Sequence, residues 1–154
     1  MSKADGAGTP PDTAGLSFFR ELLRTGEPAA PICPALSFEL TEAECGSTEF
    51  RGWPDVKFTN PGGVVHGGYL TVILSSAMSC AVHTTLVEGE RYTTTNISVH
   101  LTRALMPDQG PLVATGVVVH RSKRGATAEG RIVDRKGRLI AHGTTTCVVM
   151  PAGQ

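Results

Sequence analysis

The run Asn60-Pro-Gly-Gly-Val-Val-His66-Gly67-Gly68 places an amide, an imidazole and two adjacent glycines directly ahead of a long apolar stretch. If that stretch is a helix, its first backbone N–H groups have no intrahelical acceptor and its dipole makes that end positive. Gly67 and Gly68 carry no Cβ, so a carbonyl could approach the backbone closely. A plainer reading stays open: the glycines only make a tight turn, and His66 is a structural hydrogen-bonder. Further along, Ser75, Ser79 and His83 fall at i, i+4 and i+8, so neighbours in this row can touch. A serine is a nucleophile only beside a base, and His83 lies roughly 12 Å from Ser75 along a helix axis. That leaves a relay through Ser79, or serines that are merely small side chains letting the helix pack closely. The basic run His120-Arg121-Ser-Lys123-Arg124 could hold a phosphate by charge and geometry, or could be a solvated turn.

These residues need elements to hold them. Residues 1–15 are rich in Gly, Ala, Pro and Asp and read as a disordered leader. In residues 16–24, Leu16, Phe19, Leu22 and Leu23 fall near one helical face, and Gly26 and Pro28 end it. A Pro-rich connector follows. Leu36, Phe38 and Leu40 alternate with polar residues as a strand, with a turn expected at Glu42-Ala-Glu44 and a second strand over 45–52. Residues 53–59 read as loop. Residues 69–86 hold no Gly or Pro, and Leu70, Ile73, Leu74, Ala77, Met78 and Ala81 recur at helical spacing. A helix apolar on nearly every side is buried. The rest reads as four strands, around 93–101, 112–120, 126–134 and 139–150, with a hairpin turn at Asp134-Arg-Lys-Gly137. Helix, two strands, one long buried helix and four strands make an α+β domain, an antiparallel sheet packed on one helix.

The bulk composition narrows the function. The chain has 154 residues, 40% hydrophobic, 18% charged, with zero formal net charge. One core suits that length, and the neutral balance argues against nucleic acid or an anionic membrane as main partner. No apolar run reaches membrane-spanning length. Cys33, Cys45, Cys80 and Cys147 show no C-x-x-C or zinc-ligand spacing. No metal site is expected, and reduced thiols in the cytoplasm are the default.

Asn60-x-x-Gly63-x-x-His66-Gly67-Gly68 opening the helix, the Thr93-Thr-Thr-Asn96-Ile-Ser-Val strand and the late Asp134-x-x-Gly137 hairpin together resemble the PaaI-like acyl-CoA thioesterases of the hotdog superfamily, over residues 35–150 or so. The resemblance implies a single hotdog domain over residues 16–154, its curled antiparallel sheet wrapped around the buried helix. It implies that the Gly67 N–H holds the oxyanion of a thioester, with His66 and Asn60 shaping the pocket and Gly68 allowing close approach. It implies acyl-CoA as substrate, no separate cofactor, and a homodimer or homotetramer with shared sites. Thr93 matches a position where some members use a hydroxyl to hold the attacking water. Arg121, Lys123 and Arg124 become candidates for the coenzyme A phosphates, and Ser79 for the substrate pocket. At the end of the preceding strand, Thr102-Arg103 stands where the family commonly has Arg-Pro.

One departure bears on the chemistry. The family places an Asp or Glu nine residues after the motif histidine, and here that position is Ser75. No Asp or Glu occurs anywhere in 69–87. Losing a general base typically costs about 10²–10⁴ in rate, or about 3–5 kcal/mol of barrier. Two functions therefore compete: hydrolysis of an acyl-CoA thioester, and binding of acyl-CoA with little or no turnover. A hotdog hydratase or dehydratase would also need an acid that the helix does not supply.

Overall fold

A computed structural model describes residues 12–153; the remainder of the expected leader, residues 1–11, lies outside them. The leader boundary needs correcting. Helix α1 spans Ala14–Thr25, and Thr13 caps it by accepting the N–H of Leu16 at 3.0 Å. Gly26, at φ +74°, ends the helix by donating to Leu22 O. Leu16 and Phe19 are buried and pack with Ala43, Leu40 and Cys80.

The connector hides a short helix, α2, Ile32–Ala35. The first hairpin is also displaced from its expected place. Strand β1 is Phe38–Glu44 and β2 is Ser47–Gly52, so Glu42-Ala-Glu44 is strand and the turn falls at Cys45-Gly46. Gly46 has φ +83°, a left-handed conformation that glycine adopts without strain. A bulge between Leu40 and Glu42 changes the alternation and lets Ala43 face inward. Leu36 precedes the strand. Val56–Phe58, expected as loop, forms one 3-10 turn.

The long helix α3 is Gly67–His83, about 25 Å at 1.5 Å per residue. It begins two residues earlier and ends three earlier than its apolar run. Ile73, Leu74, Ala77, Met78, Ala81 and Val82 are fully buried against the sheet. A half-buried stripe, Thr71, Ser75, Ser79 and His83, runs along the helix, so it is not enclosed on every side.

Strands β3 (Glu90–Leu101), β4 (Leu112–Arg121), β5 (Gly125–Val133) and β6 (Leu139–Pro151) complete one antiparallel sheet in the order β1-β2-β4-β5-β6-β3. Gly116, Gly130 and Gly143 are cross-strand partners on β4, β5 and β6. A Cβ on Gly116 would lie 2.1 Å from Ala77 O, and one on Gly130 would lie 2.7 Å from Met78 Cγ. Gly116 and Gly130 let α3 approach the sheet, and Thr48 of β2 donates to Ala77 O at 2.7 Å to hold it there. The Asp134 turn forms as expected, its carboxylate accepting the N–H groups of Lys136 and Arg138. Strands β1 and β3 are the sheet edges. On the helix side of β3, Ile97 is 40% exposed and Leu101 is 54% exposed.

Candidate active site

The loop before α3 is built by Asn60. Its Oδ1 accepts the N–H groups of Gly62 at 2.9 Å and Val64 at 3.2 Å, while its own N–H donates to Val64 O at 2.8 Å. The Asn60 carbonyl accepts the Gly63 N–H at 2.9 Å, with Gly63 at φ +79°. The side-chain oxygen of Asn60 is therefore spent on the loop. His66 N donates to Phe58 O at 2.8 Å and fixes the entry to the helix.

His66 is the N-cap of α3. Its Nδ1 accepts the Gly68 N–H at 2.8 Å, which assigns the proton of a neutral imidazole to Nε2. A Cβ on Gly68 would lie 2.8 Å from that Nδ1, so the fold-back of the ring needs glycine there. The N–H groups of Tyr69 and Leu70 go to His66 O. The Gly67 N–H is left without an acceptor among the described residues. It sits at the positive end of a 17-residue helix. A Cβ on Gly67 would lie 2.6 Å from Leu101 Cδ1, so Leu101 of β3 leans over this donor.

Beside the cap is a cavity of about 280 Å³ lined by Leu36, Phe58, Tyr69 and Val72, with His66 and Gly68 on one side and Lys57 among its lining residues. The Phe58 and Tyr69 rings stack at 4.7 Å and 12°. The Lys57 ammonium lies 5.2 Å from the Phe58 ring centre. The Tyr69 hydroxyl is buried and has no partner among the described residues. Burial, and secondarily the charge of Asp55, pushes its pKa up to about 12, so it stays protonated. Lys57, Phe58, Tyr69 and Leu101 had no signal in the sequence. The first two lie in an apparent loop, Tyr69 reads as one more core residue, and Leu101 reaches the site only through the strand pairing.

The other expected site residues lie elsewhere. Ser75 is half-buried at mid-helix, with no hydrogen bond from its side chain among the described residues. It stands eight residues beyond Gly67, about 12 Å along the axis, so one chain does not bring the two together. His83 is enclosed by Phe18 at 5.3 Å, Phe19 at 4.9 Å and Tyr92 at 5.4 Å between ring centres. Burial pushes its pKa down. It makes no hydrogen bond to Ser79 among the described residues, so the Ser75–Ser79–His83 relay is not formed. Thr93 is exposed on β3 opposite Val148, near the C-terminal end of α3. The Arg121 guanidinium donates to Glu90 at 2.6 Å and Thr85 at 3.1 Å, and also to Ser122 O. It ties the end of α3 to β4. Lys123 and Arg124 are exposed at the β4–β5 turn, at the opposite end of α3 from Gly67.

Residues 62–141, just over half of the chain, match the family model described as Thioesterase superfamily. The chain belongs to the thioesterase superfamily. Its fold is the hotdog fold, and its neighbours among solved structures include PaaI-like proteins. A phenylacetic acid degradation-related protein from Ralstonia eutropha is 26% identical, with a TM-score of 0.76, covering 85% of this chain and 98% of that one. A thioesterase from Haemophilus influenzae is 18% identical, with a TM-score of 0.76, covering 90% and 92%. The PaaI protein of Escherichia coli is 15% identical, with a TM-score of 0.76, covering 91% and 96%. No curated protein matches the sequence. Among the described residues, no helix of this thioesterase-superfamily chain is long and apolar enough to cross a membrane.

Proposed function

We propose that this chain binds acyl-CoA thioesters and hydrolyses them slowly, with the carbonyl oxygen held by the Gly67 N–H. The observation that carries the reading is that donor, unpartnered among the described residues, at the start of a buried helix whose flanking residues His66 and Gly68 line a mostly apolar cavity. A donor aimed at the developing oxyanion is worth more in the transition state than in the ground state. The acyl group fills the cavity floored by Phe58 and Tyr69. Water attacks the carbonyl carbon, the C–S bond breaks, and the products are the carboxylate, the coenzyme A thiol and a proton. His66 orients the helix start through Gly68.

The site is completed by a second copy. Strand β3 runs back along α3, from Tyr92 beside His83 to Leu101 over Gly67. Antiparallel pairing of two β3 edges brings the Glu90 end of one copy toward the Leu101 end of the other. The mid-helix stripe with Ser75 and the turn with Lys123 and Arg124 then approach the Gly67 site of the partner. Lys123 and Arg124 are free to meet the coenzyme A phosphates; Arg121 acts through its ties to Glu90 and Thr85. Thr93 and Ser79, on the same end of the chain, approach that site in the same way.

A second reading, an acyl-CoA binder without turnover, is favoured by one observation: α3 offers no carboxylate where the proton acceptor belongs. Thiol release from a panel of short acyl- and aryl-CoA esters, with calorimetric binding of coenzyme A alongside, separates the two. Slow turnover that falls at least about tenfold in His66→Ala supports hydrolysis at this site. Binding with no thiol release selects the binder. Neither binding nor turnover overturns both.

A further inference from the structure

The face of the sheet turned away from α3 is less polar than a solvated face. An antiparallel sheet with one wet side normally alternates apolar-in and polar-out. Here Val117 of β4 and Val148 of β6 point outward and are 43% and 38% exposed. Around Val117 lies a hollow of about 420 Å³, lined also by Thr115, Glu129, Arg131, His142 and Thr144. Glu129 and Arg131 are neighbouring outward positions of β5, because Ala128 and Ile132 are buried and a Cβ on Gly130 would meet Met78. Two residues span about 7 Å of strand. Neither charge has an ion-pair partner among the described residues. None of the residues of this hollow lines the cavity beside Gly67.

We infer that this face docks on the same face of a second copy, with Glu129 of each copy paired to Arg131 of the other. The order of the two charges decides both the occupant and its orientation. An acid and a base side by side on one strand form a patch that is its own complement under a two-fold axis, the commonest symmetry between copies. An axis running along β5 would set Glu129 on Glu129 and Arg131 on Arg131. An axis crossing the strands at the level of the register partners Gly116, Gly130 and Gly143 sets each Glu129 on an Arg131 instead. The same operation brings Val117 against Thr115 and Thr144 against His142, so neither of these contacts sets like charges together. Each Arg131 extends into the hollow of the facing copy, and the outward valines leave water. This surface is the face of the sheet, apart from the β3 edge, and the inference does not rest on the thioesterase reading.

Sedimentation velocity of the full chain at micromolar concentration tests the pairing. Glu129→Arg leaves two cations on the face, and Arg131→Glu leaves two carboxylates. Both positions are exposed, so each variant keeps the fold, which circular dichroism checks. Each variant alone should associate through this face at least about tenfold more weakly, because like charges now oppose each other. Its mass should fall to half that of wild type. Mixing the two variants in equal amounts should restore the wild-type mass, and so should the double exchange E129R/R131E. A monomeric wild type would overturn the inference, as would a single variant that keeps the wild-type mass. Folded variants that stay apart on mixing would assign the loss to something other than the Glu129–Arg131 pair and overturn it too.

Discussion

Gly67 and Gly68 do different work although they are adjacent. Gly67 leaves a donor free, and Gly68 makes room for the ring that caps the helix. Gly68→Ala separates the two roles. Alanine gains up to about 1 kcal/mol of helix propensity, and displacing the His66 cap loses about as much. The melting temperature should stay nearly constant while kcat/KM falls at least about tenfold, because the imidazole no longer sits beside the donor. Circular dichroism and thiol release check both halves; unchanged turnover would mean that the His66 ring position is irrelevant to the site. The motif spacing made Gly67, Gly68 and His66 legible in the sequence. The same spacing pointed to Asn60, whose oxygen accepts the loop amides of Gly62 and Val64 and so shapes the loop ahead of the donor. The aromatic floor was illegible because Phe58 and Tyr69 meet only once the loop has folded, and Arg121 became a tether only through Glu90, 31 residues away.

At the scale of elements, α1 docks head-on against the C-terminal end of α3. Gly15 N donates to Leu86 O at 3.0 Å, and the Thr13 hydroxyl donates to Thr84 O. A Cβ on Gly15 would lie 1.9 Å from His83 O, a backbone atom that no rotamer change can move. Gly15→Ala therefore sets a propensity gain of about 1 kcal/mol against a steric cost of about 1–3 kcal/mol or more, and the clash wins. Chemical denaturation should show net destabilisation; a more stable variant would contradict this contact. His83 adds a pH dependence. Burial lowers its folded pKa below the ordinary 6.5, so the unfolded chain binds the proton more readily. His83 therefore leaves stability unchanged above that value and lowers it as pH falls through about 6.5 toward the folded pKa. His83→Gln should flatten the fall in melting temperature over that interval, and a variant with the same fall would remove His83 as its cause. Period-two and helical patterns located most elements, because each buries one face. The first hairpin slipped because a bulge after Leu40 changes the alternation. The start of α1 was missed because Thr13 and Gly15 look like leader residues until α3 lies against them.

For the whole molecule, the long exposed edge of β3, with Ile97 and Leu101 uncovered, is a surface that a second copy would pair and bury. Light scattering should give a dimer or tetramer at micromolar concentration. Ile97→Arg should shift it toward monomer and reduce thioester hydrolysis together; a monomeric wild type with full activity would contradict the shared site. Strand order was not legible, since β3 lies beside β6 rather than β4 and only pairing decides that. What the sequence did show is the absence of a carboxylate at Ser75, and the proposal rests on it: in the proposed dimer the Gly67 N–H of one copy, read as the oxyanion donor, faces the Ser75 stripe of the other, which lacks a proton acceptor. Ser75→Asp supplies one in a half-buried place where the carboxylate is tolerated, although its pKa will rise. The decisive measurement is the rate of thiol release from the acyl-CoA panel by wild type and Ser75→Asp side by side. The account predicts a variant at least about tenfold faster than wild type. Equal rates in a folded variant that binds coenzyme A would contradict it.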